Sequence, residues 1–332
     1  MTARSVLFAI RNPEARQQAG LAKAIQVARA LGATLELFHA ITDALFIDLA
    51  QYQDDAVDRL RLRVESEARI RLVRLCEVAH KHGVEARYSV EWDYPPHEAV
   101  LRRAAAIGAD LIIAECHKGV HRRPWLIHLT DWELLRNSTL PVLLLKSGKP
   151  YHRPLVLAAV DPAHAHAKPG ELDKRILASA AELGKGLRGA LHILHANYPS
   201  IVGPAIDTAA RRAASSWSTL SFEELKEQER QAFEDFRESA GLPRTRAHLV
   251  EGNPAIAIPR AASKLGAGIV VMGALSRSGL QRLFIGNTAE RILGSLTCDV
   301  LVVRPGNFAN RVIQETRGAH MTAAPTSAPM AT

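Results

Sequence analysis

"AAAIGADLIIAECHKG", residues 104–119, returns in the second half of the chain as "ASKLGAGIVVMGALSR", residues 262–277. In each copy a helical segment leads into a short apolar run, "DLIIAE" or "GIVVMG", with the length and composition of a buried strand. Three more pairs of segments match in the same order: "RSVLFAIRNPEA" with "RPLVLAAVDPAH", "LGATLELFHA" with "LRGALHILHA", and "LLRNSTLPVLLLKSG" with "ILGSLTCDVLVVRPG". The sequence is therefore an internal duplication, and each half is expected to fold as one domain.

Within each half, apolar runs alternate with helical segments, which predicts an α/β fold made of two tandem doubly wound parallel-sheet domains. The predicted strands are residues 6–10, 34–39 and 86–90, "DLIIAE" and "PVLLLK" in the first half, and residues 155–160, 190–195 and 246–250, "GIVVMG" and "DVLVVR" in the second. The expected domains are residues 1–148 and 149–306, joined near the Gly- and Pro-bearing segment "KSGKPYHRP". Residues 307–332 are expected to form a disordered tail.

The composition indicates a folded protein that binds neither membranes nor nucleic acids. Apolar residues make up 47% of the 332 residues, which is enough for two buried cores. The 42 Lys and Arg are mixed with 34 Asp and Glu, as in "DRLRLRVESEAR" and "ELKEQERQAFEDFRE", a pattern typical of solvated helix faces. Three separated cysteines fit a reducing compartment, and no run approaches the roughly twenty apolar residues of a membrane span. We therefore expect a cytoplasmic protein with no leader, no membrane partner and no nucleic-acid partner.

Doubly wound sheets bind ligands outside the carboxyl ends of their strands, where the strand order reverses. The residues predicted at these ends are Asn12, His39, Trp92 and Glu115 in the first half, and Asp161, His195, Glu251 and Gly273 in the second. The last strand of each half is a candidate edge strand. Pairing of the two edges within the chain would cover both of them.

The second half resembles the universal stress protein family. Nucleotide-binding members carry a glycine, two residues, a second glycine, nine residues, and a third glycine followed by Ser or Thr, across the end of the fourth strand and the start of the last helix. An Asp at the end of their first strand reads the adenine. The segments "FIGNTAE", "CDVLVVRP" and, in the first half, "TDWELLRNSTLPVLLLK" extend the resemblance over residues 4–306 and point to the tandem two-domain members.

The resemblance implies an adenine nucleotide, such as ATP with Mg, in the second half only. It places Asp161 on the base and Gly273 on the phosphates, while Ser276 stands where the family has its second glycine. Gly286 matches the third glycine, and Asn287 replaces the hydroxyl residue. The other residues assigned to this predicted site are Arg277, Gly279 and Thr288.

Physical chemistry allows such a loop and also offers a simpler explanation. Phosphates bind to backbone N–H groups that converge at a helix N-terminus, and glycines let the backbone approach. Arg277 and Arg282 offer countercharge in place of the lysine of a Walker loop, whereas the Cβ atom of Ser276 obstructs a close approach. The alternatives are that the glycines only permit a tight turn while Asn287 or Thr288 caps the helix, or that another small ligand binds.

The first half has lost the loop. Its residues at the four matching positions are Glu115, Lys118, His128 and Leu129, and Asn12 stands where the second half has Asp161. A carboxylate at Glu115 would repel a phosphate, so we expect no nucleotide in this half. The apolar segment "WLIHLTDWELL", residues 125–135, is expected to fill the vacated space, with an apolar ligand pocket as the alternative.

No metal site is predicted. The first-half histidines match no compact metal motif, although three or four of them would hold zinc if they converged. They are His39, His97, His117, His121 and His128. His39 has a repeat counterpart in His195, which favours a shared structural position.

No GxSxG, HExxH, Walker A or protein-kinase motif occurs, so no catalytic residue is assigned and the chain is predicted not to be an enzyme. The related nucleotide alpha-hydrolase-like enzymes would need a pyrophosphate loop and a general base. The leading interpretation is a stress-response protein with an adenine nucleotide as a regulatory ligand. The alternatives are a nucleotide-free scaffold or apolar-small-molecule binder acting through protein partners, and slow ATP hydrolysis. A homodimer and a regulatory protein partner stay open.

Overall fold

The computed structural model describes residues 4–15, 18–42, 55–116, 130–163, 171–197, 222–273 and 287–305. The first half consists of β1 Ser5–Ala9, α1 Ala19–Leu31, β2 Thr34–Ile41, α2 Asp55–Lys81, β3 Ala86–Trp92, α3 Pro96–Ala106, β4 Leu111–Glu115, α4 Thr130–Asn137 and β5 Val142–Leu145. The second half consists of β6 Leu155–Ala159, α5 Leu172–Gly186, β7 Ala190–Asn197, α6 Phe222–Ser239, β8 Ala247–Glu251, α7 Pro254–Leu265, β9 Ala267–Gly273, α8 Asn287–Ser295 and β10 Asp299–Val303.

These strands form one sheet in the order β3-β2-β1-β4-β5-β10-β9-β6-β7-β8. Neighbouring strands are parallel within each half. The two halves join where β5 and β10 pair antiparallel, with Leu143 opposite Leu301. This confirms two doubly wound halves and the predicted pairing of their edge strands.

The central strands are buried on both faces, as their continuous apolar runs predict. In β1, Val6 and Phe8 belong to the core on one face of the sheet and Leu7 to the core on the other, and all three are fully buried. Helices α1, α2, α5 and α6 cover the first face, and α3, α4, α7 and α8 cover the second. Each core runs through both halves, so the two domains share their hydrophobic layers.

Two strands end later than the sequence predicts. His39 and His195 are predicted at strand ends, but β2 continues to Ile41 and β7 to Asn197. The cause is pairing with the outer strands, because β3 and β8 keep bonding to these last residues. Both histidines therefore lie inside their strands.

The charged helices are not solvated throughout, which corrects the expectation from their composition. Arg61 and Glu65 of α2 are buried, and the Arg61 guanidinium lies 5.5 Å from the ring centre of Trp92. Glu229 of α6 is buried as well. The mixed charge of these helices thus predicted their exposed faces correctly, but it did not predict that Arg61, Glu65 and Glu229 are buried.

A buried polar cluster around Asp299, the first residue of β10, ties the halves together. Lys23 of α1 donates a hydrogen bond to one oxygen of its carboxylate, and the Tyr151 hydroxyl donates to the same oxygen at 2.6 Å. The backbone N–H groups of Lys146 and Ser147 donate to the other oxygen at 2.8 and 3.0 Å. The segment predicted as a linker is therefore anchored to both halves.

The last strand of each half is followed by a basic residue that reaches the last helix of the other half. Lys146 donates to the carbonyl oxygen of Leu296, at 2.9 Å, and to a second carbonyl at the end of α8. Arg304 donates to the carbonyl oxygens of Leu135 and Arg136 at the end of α4. Burial lowers the pKa of Lys146 and lowers that of Arg304 to about 10. Cations are favourable at helix C-termini, so each half stabilises a helix of the other.

His192 of β7 and His248 of β8 form an imidazole pair. The Nδ1 atom of His192 lies 2.8 Å from the Nε2 atom of His248, and the rings are within 7° of parallel. One of the two nitrogens must lack a proton to accept this bond. Burial lowers the pKa of both histidines, and the charges of His248 and Arg246 lower that of His192 further.

This pair is expected to make the protein less stable in acid. Because the folded-state pKa values lie below the unfolded value of about 6.5, the unfolded chain binds more protons as the pH falls through that window. Stability should be full at pH 8 and decline below pH 6.5 or so. Thermal unfolding at several pH values measures the effect, which should be smaller in His192→Gln and unchanged in the exposed-residue control His152→Gln. An identical pH dependence in all three proteins would contradict the expectation.

Candidate functional site

The strand order reverses between β1 and β4 in the first half, and between β6 and β9 in the second. The chain leaves each pair of adjacent strands in opposite directions, which opens a crevice at their carboxyl ends. Two of the predicted site residues, Asp161 and Gly273, lie at the second of these crevices. The two crevices differ in the side chains that border them.

Asp161 and Gly273 lie on the two sides of the second-half crevice. Asp161 follows β6, and its backbone N–H donates to a carboxylate oxygen of Asp173 at 3.1 Å. Its own side chain is 30% exposed. Gly273 ends β9, whose preceding residue Met272 pairs with Ala159 of β6. The fold thus brings these two sequence-predicted residues together.

The packing around Gly273 also suits a residue without a side chain. A Cβ atom there would lie 2.6 Å from the Cδ2 atom of Leu172 and 3.2 Å from the Cδ1 atom of Ile176. The missing side chain therefore lets the first turns of α5 pack against the end of β9. Contact with a phosphate would be an additional role of this residue, and it stays a prediction.

The rest of the predicted loop is described only at its end. Ser276, Arg277, Gly279 and Gly286 lie outside the described residues. Asn287 begins α8, as the sequence predicts, and Thr288 is exposed in its first turn.

In the first half, the position equivalent to Gly273 is occupied by a residue with a carboxyl group. Glu115 ends β4, and its side chain lies against Gly20, where a Cβ atom would come within 2.8 Å of the Glu115 Cδ atom. The first turn of α1 favours a negative charge. Asn12, which replaces Asp161, uses its Oδ1 atom to accept the backbone N–H of Glu14 at 2.8 Å. Both side chains therefore contact other parts of the protein, Glu115 at Gly20 and Asn12 at the backbone of Glu14.

His39 and His195 hold equivalent structural positions, as the repeat predicts. The Nδ1 atom of His39 lies 2.8 Å from the carbonyl oxygen of Ile10, and that of His195 lies 3.1 Å from the carbonyl oxygen of Val160. Burial lowers the pKa of His39, and its hydrogen bond to Ile10 partly opposes this. Each histidine connects the second strand of its half to the end of the first.

Around His195 the second half gathers further polar groups. The imidazole stacks on Phe233 with the ring centres 5.9 Å apart. A carboxylate oxygen lies 3.8 Å from each ring nitrogen, that of Asp161 from Nδ1 and that of Glu229 from Nε2. Asn197, the last residue of β7, is buried beside them on the same face of the strand.

Sequence reasoning missed Asn197 and Glu229. Asn197 was not predicted as a site residue because the strand was expected to end at His195. Glu229 was not predicted because its whole helix was expected to be solvated. A signal was present in the spacing, since Glu229 precedes the buried Phe233 by one helical turn and shares its face.

A cavity of about 200 Å³ lies away from the crevice, at the other end of β9. It is lined by Pro259, Ala262, Ser263, Gly266, Ala267, Leu296, Thr297 and Cys298. Its walls supply neither the carboxylate nor the glycine of the predicted nucleotide site.

The other first-half candidates are only partly described. Within the described ranges, no three His, Cys, Asp or Glu side chains lie close enough to hold a metal ion. His117, His121, His128, Lys118 and Leu129 fall outside these ranges, as does the start of the apolar segment 125–135. None of the described helices is long and apolar enough to cross a membrane.

The family model of the "Universal stress protein family" matches this chain twice, over residues 2–146 and 156–304. The chain belongs to the universal stress protein family. The duplicated match confirms the tandem two-domain type that the sequence motifs predict.

Relatives in this family match this chain over nearly its whole length. Universal stress protein E of Escherichia coli strain K12 is 26% identical over 313 residues, which cover 92% of this chain and 96% of that protein. Universal stress protein E of Photorhabdus laumondii is 25% identical over 304 residues, covering 91% and 95%. This chain is thus similar to Universal stress protein E over nearly its whole length.

Solved structures show the same fold. A protein of unknown function from Pseudomonas aeruginosa PAO1 is 24% identical with a TM-score of 0.67, covering 93% of this chain and 94% of its own. A universal stress protein from Archaeoglobus fulgidus is 15% identical with a TM-score of 0.59, covering 92% and 98%. At these identities the likeness concerns the fold alone.

Proposed function

We propose that this universal stress protein binds an adenine nucleotide, such as ATP with Mg, at the second-half crevice and uses it as a regulatory ligand. The observation that carries the proposal is the difference between the two crevices. Glu115 brings a carboxyl group to the first, whereas the second has Gly273 at that position and the partly exposed Asp161 beside it.

The residues present fit such a ligand in two respects. Asp161 offers a carboxylate to the hydrogen-bond donors of a base or a ribose, and its backbone is fixed by Asp173. The N-terminus of α8, at Asn287 and Thr288, directly follows the predicted phosphate loop in the sequence, and the first backbone N–H groups of a helix lack partners within it and can bind an anion. The nucleotide would supply charge and bound Mg, while the protein orients it and couples its presence to α8.

Coupling to the rest of the molecule follows from the contacts of α8. Glu290, in its first turn, pairs with Arg136 of α4 at 3.1 Å, and Lys146 bonds the carbonyl groups at its other end. A ligand that orders the start of α8 therefore acts on a helix held by the first half at both ends. This arrangement supports a regulatory role, because nucleotide binding at α8 would change the contacts between the two domains.

The test is isothermal titration of ligand-stripped protein with ATP and Mg. We expect about one site per chain, and Asp161→Ala should weaken binding by roughly tenfold or more because a charged hydrogen-bond acceptor is lost. The matched control is Asn12→Ala, at the equivalent position of the first half, which should bind like the wild type.

A second variant tests the loop itself. Gly286→Val should abolish binding while leaving the thermal unfolding midpoint nearly unchanged, since its side chain would enter the space of the phosphates. The proposal is wrong if the wild type shows neither heat nor a thermal shift with ATP, or if both variants bind as tightly as the wild type.

A further inference from the structure

Helix α2 carries large apolar side chains on its solvent side as well as on its buried side. Its buried side consists of Arg61, Glu65, Ala68, Leu72, Cys76 and Ala79. On the solvent side, Leu62, Ile70 and Val73 are 67%, 52% and 38% exposed. Scattered apolar side chains on a surface need no explanation, whereas several in one row indicate a contact surface.

The exposed apolar residues of α2 belong to one row along the helix. Its members follow one another at intervals of three and four residues, the spacing that places side chains on one face of a helix. They are Arg59, Leu62, Ser66, Ile70, Val73 and Glu77, and all six are exposed. We call this set the outer stripe. Its two ends are charged, and the residues between them are apolar or small.

The repeat counterpart of α2 has no such stripe in the part that the structure describes. Like α2, helix α6 connects the second strand of its half to the third. The exposed residues described in α6 are all polar or charged, namely Glu224, Glu227, Gln228, Arg230, Gln231, Asp235, Glu238 and Ser239. The fold itself therefore does not require apolar residues on the solvent side of this helix.

The outer stripe faces the open edge of the sheet. α2 packs on β3, the first strand in the sheet order. Arg71 forms an ion pair with Glu14, which follows β1, so this side of α2 is turned toward the centre of the sheet. Leu62 and Val73 are nine and two residues from Arg71 and therefore point to nearly the opposite side of the helix. Tyr88 of β3, 40% exposed, lies at the same edge.

The charged ends of the outer stripe are placed for pairing with a second copy of the chain. Arg59 and Glu77 lie nine residues before and nine residues after Ala68. When two α2 helices pack antiparallel about a two-fold axis at the level of Ala68, Arg59 of each copy faces Glu77 of the other. A two-fold interface repeats every contact, so this ion pair forms twice.

The residues between the charged ends fit the same axis. Ser66 and Ile70 lie two residues before and two residues after Ala68, so a small side chain of each copy faces a large one of the other. Leu62 and Val73, six residues before and five after, face each other in the same way. Side chains that alternate along a helix in this manner can interdigitate with those of a second helix.

We propose that the outer stripe of α2 is the docking surface for a second copy of this chain, in an antiparallel two-fold pair. The proposal does not depend on nucleotide binding. A single helix pair is small compared with the roughly 1,600 Å² of a standard interface. Arg63 and Arg74, exposed beside the stripe, would approach each other across the axis, and like charges oppose association. The dimer is therefore expected to be weak, with a dissociation constant in the micromolar range.

Sedimentation equilibrium of the full chain over a range of concentrations measures the association. Val73→Ser should weaken the dimer about tenfold, because each copy loses an apolar side chain from the contact. The matched control is Val78→Ser. Val78 is also 38% exposed on the same helix, but it points about 140° away from Val73. Its variant should dimerise within about twofold of the wild type.

An exchange of charges tests the antiparallel register. Arg59→Glu places a second carboxylate opposite Glu77, and Glu77→Arg places a second guanidinium opposite Arg59. Each variant alone should therefore dimerise about tenfold more weakly than the wild type. Mixing the two variants restores both opposite-charge pairs, so the mixture should form a heterodimer with nearly the affinity of the wild type. Mixing would not repair a defect in the folding of either variant.

Three results would each overturn the proposal. The first is a wild-type chain that stays monomeric at every concentration, which would leave the stripe to a partner of another kind. The second is a dimer that Val73→Ser and Val78→Ser weaken equally, since the contact would then lie elsewhere. The third is a mixture of Arg59→Glu and Glu77→Arg that associates no more tightly than either variant alone.

Discussion

Replacing Asp299 by alanine is expected to lower the free energy of unfolding by about 3–5 kcal/mol, the range found when one partner of a buried ion pair is removed. Asp299 is fully buried and Lys23 is 1% exposed, so the variant leaves an ammonium group without its counter-ion in the core. The Tyr151 hydroxyl and the N–H groups of Lys146 and Ser147 lose their acceptor at the same time. Because these donors come from the joint between the halves, the loss should affect both domains.

Urea unfolding followed by circular dichroism measures this loss. The double variant Lys23→Met with Asp299→Ala should recover a large part of it, since the unpaired charge is gone. The exposed pair of Arg87 with Glu85, 3.1 Å apart, provides the comparison, and Glu85→Gln should change the midpoint little. An Asp299→Ala protein that unfolds at the same urea concentration as Glu85→Gln would show that the cluster does not stabilise the fold.

Gly186→Ala is expected to destabilise the protein by about 2–3 kcal/mol, near the top of the range for overpacking by a single methyl group. Gly186 is the last residue of α5 and lies against α1 of the other half. A Cβ atom there would lie 2.8 Å from the Cβ atom of Ala30 and closer still to its carbonyl oxygen. Backbone atoms cannot rotate away as a flexible side chain would, so the two helices must separate.

The same substitution at Gly294 is the matched control. Gly294 is an exposed residue of α8, and a Cβ atom there meets nothing within 4 Å. Gly294→Ala should therefore stabilise the helix by about 0.5–1 kcal/mol. Thermal and urea unfolding of both variants give the comparison. Equal midpoints would mean that α1 and α5 are not held as closely as the structure shows.

The sequence predicted most of the fold because its two strongest signals, a repeat and an alternation of apolar runs with helical segments, can be read from the order of residues alone. The internal duplication fixed the number of domains, and alternating apolar runs fixed the order of strands and helices. Strand ends were less predictable, because β2 and β7 extend past His39 and His195 only through pairing with β3 and β8. Hydrogen bonding to a neighbouring strand leaves no mark on the residues themselves.

The candidate site was predicted only in part. Asp161 and Gly273 could be assigned from motif spacing and lie together at the crevice, and the lack of a side chain at Gly273 also suits its packing against Leu172. Asn197 and Glu229 escaped because burial of a polar residue depends on what packs over it. Glu115 and Gly20 are in contact but lie far apart in the sequence, so local sequence patterns could not predict this contact.

The antiparallel pairing of β5 with β10 also decides where the two crevices lie relative to each other. All strands within a half run parallel, so reversal at the joint points the strands of the two halves in opposite directions. The crevice of Glu115 and the crevice of Asp161 therefore open on opposite edges of one continuous sheet. A molecule bound at one of these crevices would therefore lie at the opposite edge from the other crevice.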